Sequence, residues 1–260
     1  MTSPIQNAVA ARQRQQHAQV TLADQVEAMR PEIARVLPAW AQTDADRMAR
    51  VALTVLRRTP KLQQTIPESF LGSLMTCAQL GVEPGPLGEA YLVPYGRECT
   101  FVLGYRGMVK LWWASPIAKT LDARVVYEGD VFRHEYGLAP SLVHRPALTG
   151  RGRPVAYYAV ATTTRGGSAF VVLPPEEIER HRKHSRSADS GPWRDHYEAM
   201  AKKTAVRELF KLLPTGTALS RALAHDGTVR TDRSPDAIDA SPDLPEVIDG
   251  EVIEQEAEAA

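Results

Sequence analysis

Between residues 81 and 107, glycine and proline punctuate the chain so closely that only short extended segments fit between them: GVEPGPLGEAYLVPYGRECTFVLGYRG. Gly81, Pro84, Gly85, Pro86 and Gly88 make one turn, and Ala90-Tyr91-Leu92-Val93 is an apolar strand. Pro94-Tyr95-Gly96 turns again before a second strand, Cys99 to Leu103. Two such runs around a tight turn predict a β-hairpin. The second strand ends in Gly104-Tyr105-Arg106-Gly107. Glycine lets a ligand's backbone come close. Tyr beside Arg is a pair that stacks a nucleobase and neutralises a phosphate.

Helical spacing dominates the chain before this hairpin. Thr21 caps a helix with apolar residues at Leu22, Val26, Met29 and Ile33, and Pro31 kinks that pattern or splits it in two. Thr43-Asp44-Ala45-Asp46 opens a second helix, striped by Met48, Val51, Val55 and Leu56 and stopping at Thr59-Pro60. A third starts near Pro67 and is capped by Gly81. After the hairpin, a short helix is expected over Met108–Ala114. Strands are expected over Leu121–Tyr127, Val131–Tyr136, Leu142–Arg145, Val155–Thr164 and Ser168–Leu173, the last two joined by Arg165-Gly166-Gly167. A helix from Pro175 towards His184, a polar loop and a long helix from about Trp193 to Leu213 follow. The order predicts an α+β fold: N-terminal helices, a central mostly antiparallel sheet with hairpins, and a long C-terminal basic helix. The domain expectation is a disordered N-terminus over 1–20, one α+β domain over 21–225 and a disordered acidic tail over 226–260.

Charge is distributed unevenly. The net charge of zero divides into ten acids against Arg233 in residues 231–260, or −9, and 30 bases against 21 acids before them, or +9. A basic body suggests a polyanionic partner, and an acidic tail is a competitor for it or a solubility aid. Met1–Gln19 has no apolar core and does not read as a signal peptide, and no apolar run is long enough to span a bilayer. Cys77 and Cys99 are the only cysteines. They exclude a disulfide scaffold and read as buried thiols in a reducing compartment, which predicts a cytoplasmic protein without membrane partners.

Nine bases against five acids occupy residues 178–211. Arg182, Lys183 and Arg186 precede Lys202, and Lys203, Arg207 and Lys211 recur at i, i+4, i+8, opposite Ala205, Leu209, Leu212 and Leu213. With Tyr105, Arg106 and Lys110, these are the candidate DNA-contacting residues. Cationic stripes with interleaved aromatics suit single-stranded nucleic acid. Trp112 and Trp113 cannot share a helix face, so one is core and the other exposed; the sequence leaves open which. Trp193 fits a core anchor and a base platform equally. His181, His184 and His196 sit among arginines and lysines that repel a cation, so no metal or other cofactor is expected. His144 reads as a strand-end hydrogen bonder. No G-x-x-x-x-G-K-[ST] run is present, which argues against a P-loop ATPase.

In order along the chain, Gly81-Val82-Glu83-Pro84, Tyr91-Leu92-Val93-Pro94 and Gly104-Tyr105-Arg106-Gly107 resemble the signature of the RecT family of phage-type single-strand annealing proteins. Thr59-Pro60-Lys61-Leu62, Ala78-Gln79-Leu80-Gly81, Val126-Tyr127-Glu128-Gly129-Asp130, Gly191-Pro192-Trp193, and Glu198 through Thr204 to Pro214 extend the likeness. The departure is Val82, where the family has Leu. The resemblance implies ATP-independent binding of single-stranded DNA and annealing of complementary strands in recombination, with no bond chemistry. It also implies retention of the annealed duplex, homo-oligomeric rings or helical filaments, a partner exonuclease and contact with the host single-strand-binding protein. Two other classes stay open from the residues alone. One is a metal-dependent phage nuclease using His144, Asp130 and Glu128. The other is a structural assembly protein with an acidic docking tail.

Overall fold

Pro31 splits the first helical pattern in two: α1 (Leu22–Ala28) ends and α2 (Arg30–Val36) begins around it, because proline brings no N–H to the α1 ladder. Thr21 and Asp24 close α1 with a reciprocal capping box. Asp44 caps α3 (Ala45–Arg58) by accepting from the Arg47 amide at 2.7 Å. A 3₁₀ turn (Pro60–Gln64) leads into α4 (Pro67–Gln79). These elements come from a computed structural model, which describes residues 21–185, 188 and 192–239.

The chain divides into two units. Among the described residues, the first holds 21–85, 92–101 and 228–239, and the second holds 86–91 and 102–227. Strands β1 (Ala90–Tyr95) and β2 (Glu98–Leu103) pair with each other and run from one unit into the other.

In the first unit, α4 is buried on every side from Ser69 to Ala78. Its small polar residues find partners: Ser69 Oγ accepts from the Cys99 amide (2.9 Å), and Ser73 Oγ donates to the Cys99 carbonyl (3.1 Å). Val26, Ile33, Met48, Ala52 and Leu56 from α1–α3 join the same core. Burial pushes the Cys99 thiol up to about 12, as expected of an inert buried cysteine. Residues 228–239 complete this unit. Arg230 is buried and donates to Gln79 Oε1 (2.6 Å), Thr76 Oγ1 (3.3 Å) and the carbonyls of Asp232 and Ser234. Gly72 admits this segment, since a Cβ there would lie 2.0 Å from the Arg230 carbonyl oxygen. Packed chain thus continues past the expected tail boundary at 226. The rest of the tail, 240–260, lies outside the described residues, as do 1–20.

In the second unit, α5 (Tyr105–Trp113) is followed by β3 (Ala118–Tyr127), β4 (Val131–Glu135), β5 (Ser141–Arg145), β6 (Pro154–Thr163) and β7 (Ser168–Leu173). Helices α6 (Pro175–Lys183), α7 (Pro192–Asp195), α8 (Tyr197–Phe210) and α9 (Thr217–His225) come next. Instead of one central sheet, the described residues form three: β1-β2, β3-β6-β7 and β4-β5. The pairs β3-β6, β6-β7 and β4-β5 are antiparallel.

Strand β6 explains the layering. Ala156 and Tyr158 face the β4-β5 hairpin with Val126, Phe132 and Leu142. The alternate residues Tyr157, Ala159 and Ala161 are also buried and face the opposite way, where α8 packs with the small residues Ala201, Thr204 and Ala205. Phe132 stacks on Tyr158 at 5.6 Å and Tyr136 on Phe170 at 4.9 Å, laying the hairpin flat on the sheet. Trp112 is the core tryptophan, stacked on Phe210, and Trp113 is the exposed one, at 51%. Trp193 is buried edge-to-face against Tyr197.

Candidate nucleic-acid interface

The stretch Gly104-Tyr105-Arg106-Gly107 is helical rather than an open turn. It forms the first turn of α5, and its glycines face the chain's own backbone. A Cβ on Gly104 would lie 2.0 Å from the Gly88 carbonyl oxygen, and one on Gly107 would lie 2.1 Å from that of Glu89. Tight turn-to-helix packing therefore accounts for both glycines. Tyr105 is half-buried, and burial is the first cause that raises its phenol pKa, with Asp122 adding to it. Arg106 projects into solvent.

The other candidate cations fall into two groups. Four are in ion pairs: Lys110 with Glu89 (2.8 Å), Arg182 with Glu179 (2.9 Å), Arg207 with Asp226, and Lys211 with Glu208 (2.7 Å). Arg106, Lys183, Lys202 and Lys203 form no ion pair among the described residues. Arg186 lies outside the described residues. Lys203 is half-buried on α8; burial lowers its pKa, Asp226 opposes that shift and Arg207 adds to it. The spacing of Lys203, Arg207 and Lys211 therefore does not make one uniform solvated stripe, and Leu212, placed on the apolar side by the wheel, is exposed at 62%.

A groove that sequence reasoning missed, apart from Lys202, is lined largely by β3, the outer strand of the β3-β6-β7 sheet among the described residues. It has a volume of about 350 Å³, and its charged lining is Arg124, Arg151 and Lys202 against Asp122. Arg151, from the β5–β6 loop, is fixed in place. Its Nε and Nη2 donate to the two oxygens of Asp130 at 3.0 and 2.6 Å, and its guanidinium carbon lies 4.1 Å from the centre of the Tyr127 ring. The Asp130 side chain is wholly buried. It also accepts from the amides of Tyr127 (3.0 Å) and Ala147 (2.8 Å) and contacts His144 Nε2 at 3.0 Å. The Arg151 guanidinium, helped by those amides against the cost of burial, holds the carboxyl far below the usual carboxylate range. Tyr127 in turn donates to Glu198 at 2.7 Å, the first cause that raises its phenol pKa.

This arrangement speaks against a metal centre of His144, Asp130 and Glu128. The oxygens of Asp130 already accept from a guanidinium and two amides, and a fixed cation beside them repels a second. Nor do the described residues include any group of three His, Cys, Asp or Glu able to hold a metal ion. His144 is a buried hydrogen-bonding residue between Asp130 and Tyr158. No helix among the described residues is long and apolar enough to cross a membrane. Arg124, Tyr127 and Arg151 carry no local motif that separates them from ordinary strand and loop residues. The signal within reach was Val126-Tyr127-Glu128-Gly129-Asp130, whose Asp130 organises the groove.

Comparison with known proteins agrees with these motifs. Residues 46–239 match the RecT family. The chain is 41% identical to Protein RecT of Escherichia coli (strain K12) over 207 residues, 76% of each chain. It is 27% identical to the uncharacterized protein YqaK of Bacillus subtilis (strain 168) over 156 residues, which is 60% of this chain and 54% of that one. On the extent of the family match and the identity to the Escherichia coli relative, the chain belongs to the RecT family.

Proposed function

We propose that the protein binds single-stranded DNA and anneals complementary strands without ATP, in recombination of the phage type, making and breaking no bonds. The observation that carries this reading is the family match over residues 46–239. The missing P-loop motif and the +9 charge of residues 1–230 support it. The physical task is to offset phosphate repulsion between two strands while leaving base edges free, which contacts to the backbone accomplish. Tighter retention of the paired product than of either strand draws annealing forward.

Arg106 and Lys183, exposed and without ion-pair partners among the described residues, lead the candidate phosphate contacts, with Lys202 and Lys203. Lys110, Arg182, Arg207 and Lys211 would have to exchange a carboxylate for a phosphate. Arg186 belongs with them by sequence, and Tyr105 is a candidate for base stacking. The basic α8 region serves as the DNA-facing helix in this reading. The working form is a homo-oligomeric ring or helical filament in the cytoplasm, acting with an exonuclease that exposes single strands and with the host single-strand-binding protein. Titration of a labelled oligothymidylate in EDTA, monitored by fluorescence anisotropy, tests the reading. Saturable, salt-sensitive binding is expected, and binding that requires a divalent metal would favour the nuclease instead.

A further inference from the structure

Arg151 is held more rigidly than a surface arginine needs to be. Two of its donors enter the buried carboxylate of Asp130, and Nη2 also reaches the Val125 carbonyl at 3.4 Å. One face of the guanidinium lies against Tyr127, yet the side chain remains 34% exposed. The result is a flat cationic plate, locked at its edge and backed on one side, in a groove lined by three cations and one carboxylate. The carboxylate, Asp122, pairs with Arg124 at 2.9 Å with both side chains about half exposed. Such a pair is worth little, so Arg124 can turn to another anion. Lys202 reaches the groove from α8 and has no ion-pair partner among the described residues.

We propose that this groove seats one nucleotide of single-stranded DNA, with the base on the open face of the Arg151 guanidinium and the neighbouring phosphate between Lys202 and Arg124. Guanidinium planes stack on unpaired bases. A volume of about 350 Å³ lies at the small end of ligand pockets, which span about 300–1,000 Å³; it suits one nucleotide rather than a duplex. Asp130 is the positioning residue: it fixes the plate before DNA arrives, so that little ordering remains to be done on binding. The inference rests on the reading that the protein binds single-stranded DNA.

The test compares two oligonucleotides of equal length: oligothymidylate, and one in which abasic residues replace the bases but every phosphate is kept. Wild-type protein should prefer the first by about tenfold or more, the scale of one base stack. Arg151→Lys keeps the charge and removes the plate, so it should shrink that preference while leaving the salt dependence of binding in place. Lys202→Ala with Arg124→Ala should do the reverse, preserving the preference and lowering the log–log salt slope by about 0.7 per lost phosphate contact. Should Arg151→Lys fail to fold, the Lys202/Arg124 pair carries the test. If wild-type protein binds oligothymidylate but the folded variants keep both its base preference and its salt slope, the seat is wrong and the function stands. If wild-type protein binds neither oligonucleotide, the function itself is wrong.

Discussion

Arg230 in the first unit and Arg151 in the second are both arginines held by tertiary contacts, and they differ in where the guanidinium is turned. Arg230 turns its donors inward, to Gln79, Thr76 and two carbonyls of its own segment, and is 7% exposed. Arg151 turns its edge inward, to Asp130, while its side chain stays 34% exposed. In the first case the side chain completes a core. In the second the core, through Asp130, holds the side chain out as a surface.

The largest effect is expected at Arg230. Arg230→Ala should cost about 3 kcal/mol or more, since each buried acceptor left without a donor costs ~1–3 kcal/mol. DNA affinity of the folded fraction should not change. Chemical denaturation alongside oligonucleotide titration checks both; a stable variant with weakened DNA binding would exchange the roles of the two arginines. Gly104→Ala acts in the same class, because its Cβ would meet the Gly88 carbonyl at 2.0 Å; a loss of about 1–3 kcal/mol is expected.

Asp130→Asn should affect both properties: thermal stability falls, and DNA binding weakens as Arg151 loses its anchor. The sign of the pH dependence follows from the depressed carboxyl. Its contribution is present above the ordinary aspartate value of 3.8 and is lost as the pH falls below it. Melting temperatures of wild-type protein should therefore fall on acidification through that region, and those of Asp130→Asn should fall less.

Smaller effects belong to single exposed cations. Arg106→Ala and Lys183→Ala should each lower the salt slope for single strands by about 0.7 with no change in melting temperature. Unchanged slopes would take these side chains off the DNA path. Lys211→Ala should change stability only slightly. Its pair with Glu208 is exposed, and such pairs contribute about 0–1 kcal/mol.

Much of the fold was legible because it is written in local rules. Pro31 splitting two helices, Asp44 and Pro67 starting two more, and Ser168–Leu173 as a strand all follow from caps, proline and alternation. The site was less legible for a physical reason. Arg151 becomes distinctive only when the β3–β4 turn brings Asp130 beneath it, 21 residues away in sequence. Lys110, Arg207 and Lys211 look alike in a list of bases, and only tertiary structure shows that each is answered by a carboxylate. The glycines of Gly104-Tyr105-Arg106-Gly107 carried a real signal, which concerned packing against residues 88 and 89.

Annealing without nucleotide or bond chemistry can be measured directly. Two complementary labelled oligonucleotides, mixed with the full chain in EDTA and without ATP, report pairing by energy transfer over time. Pairing well above the spontaneous rate, rising with protein concentration and leaving both strands intact on a denaturing gel, is the predicted result. A spontaneous rate that only added ATP accelerates, or strands shortened once a divalent metal is supplied, would contradict the account.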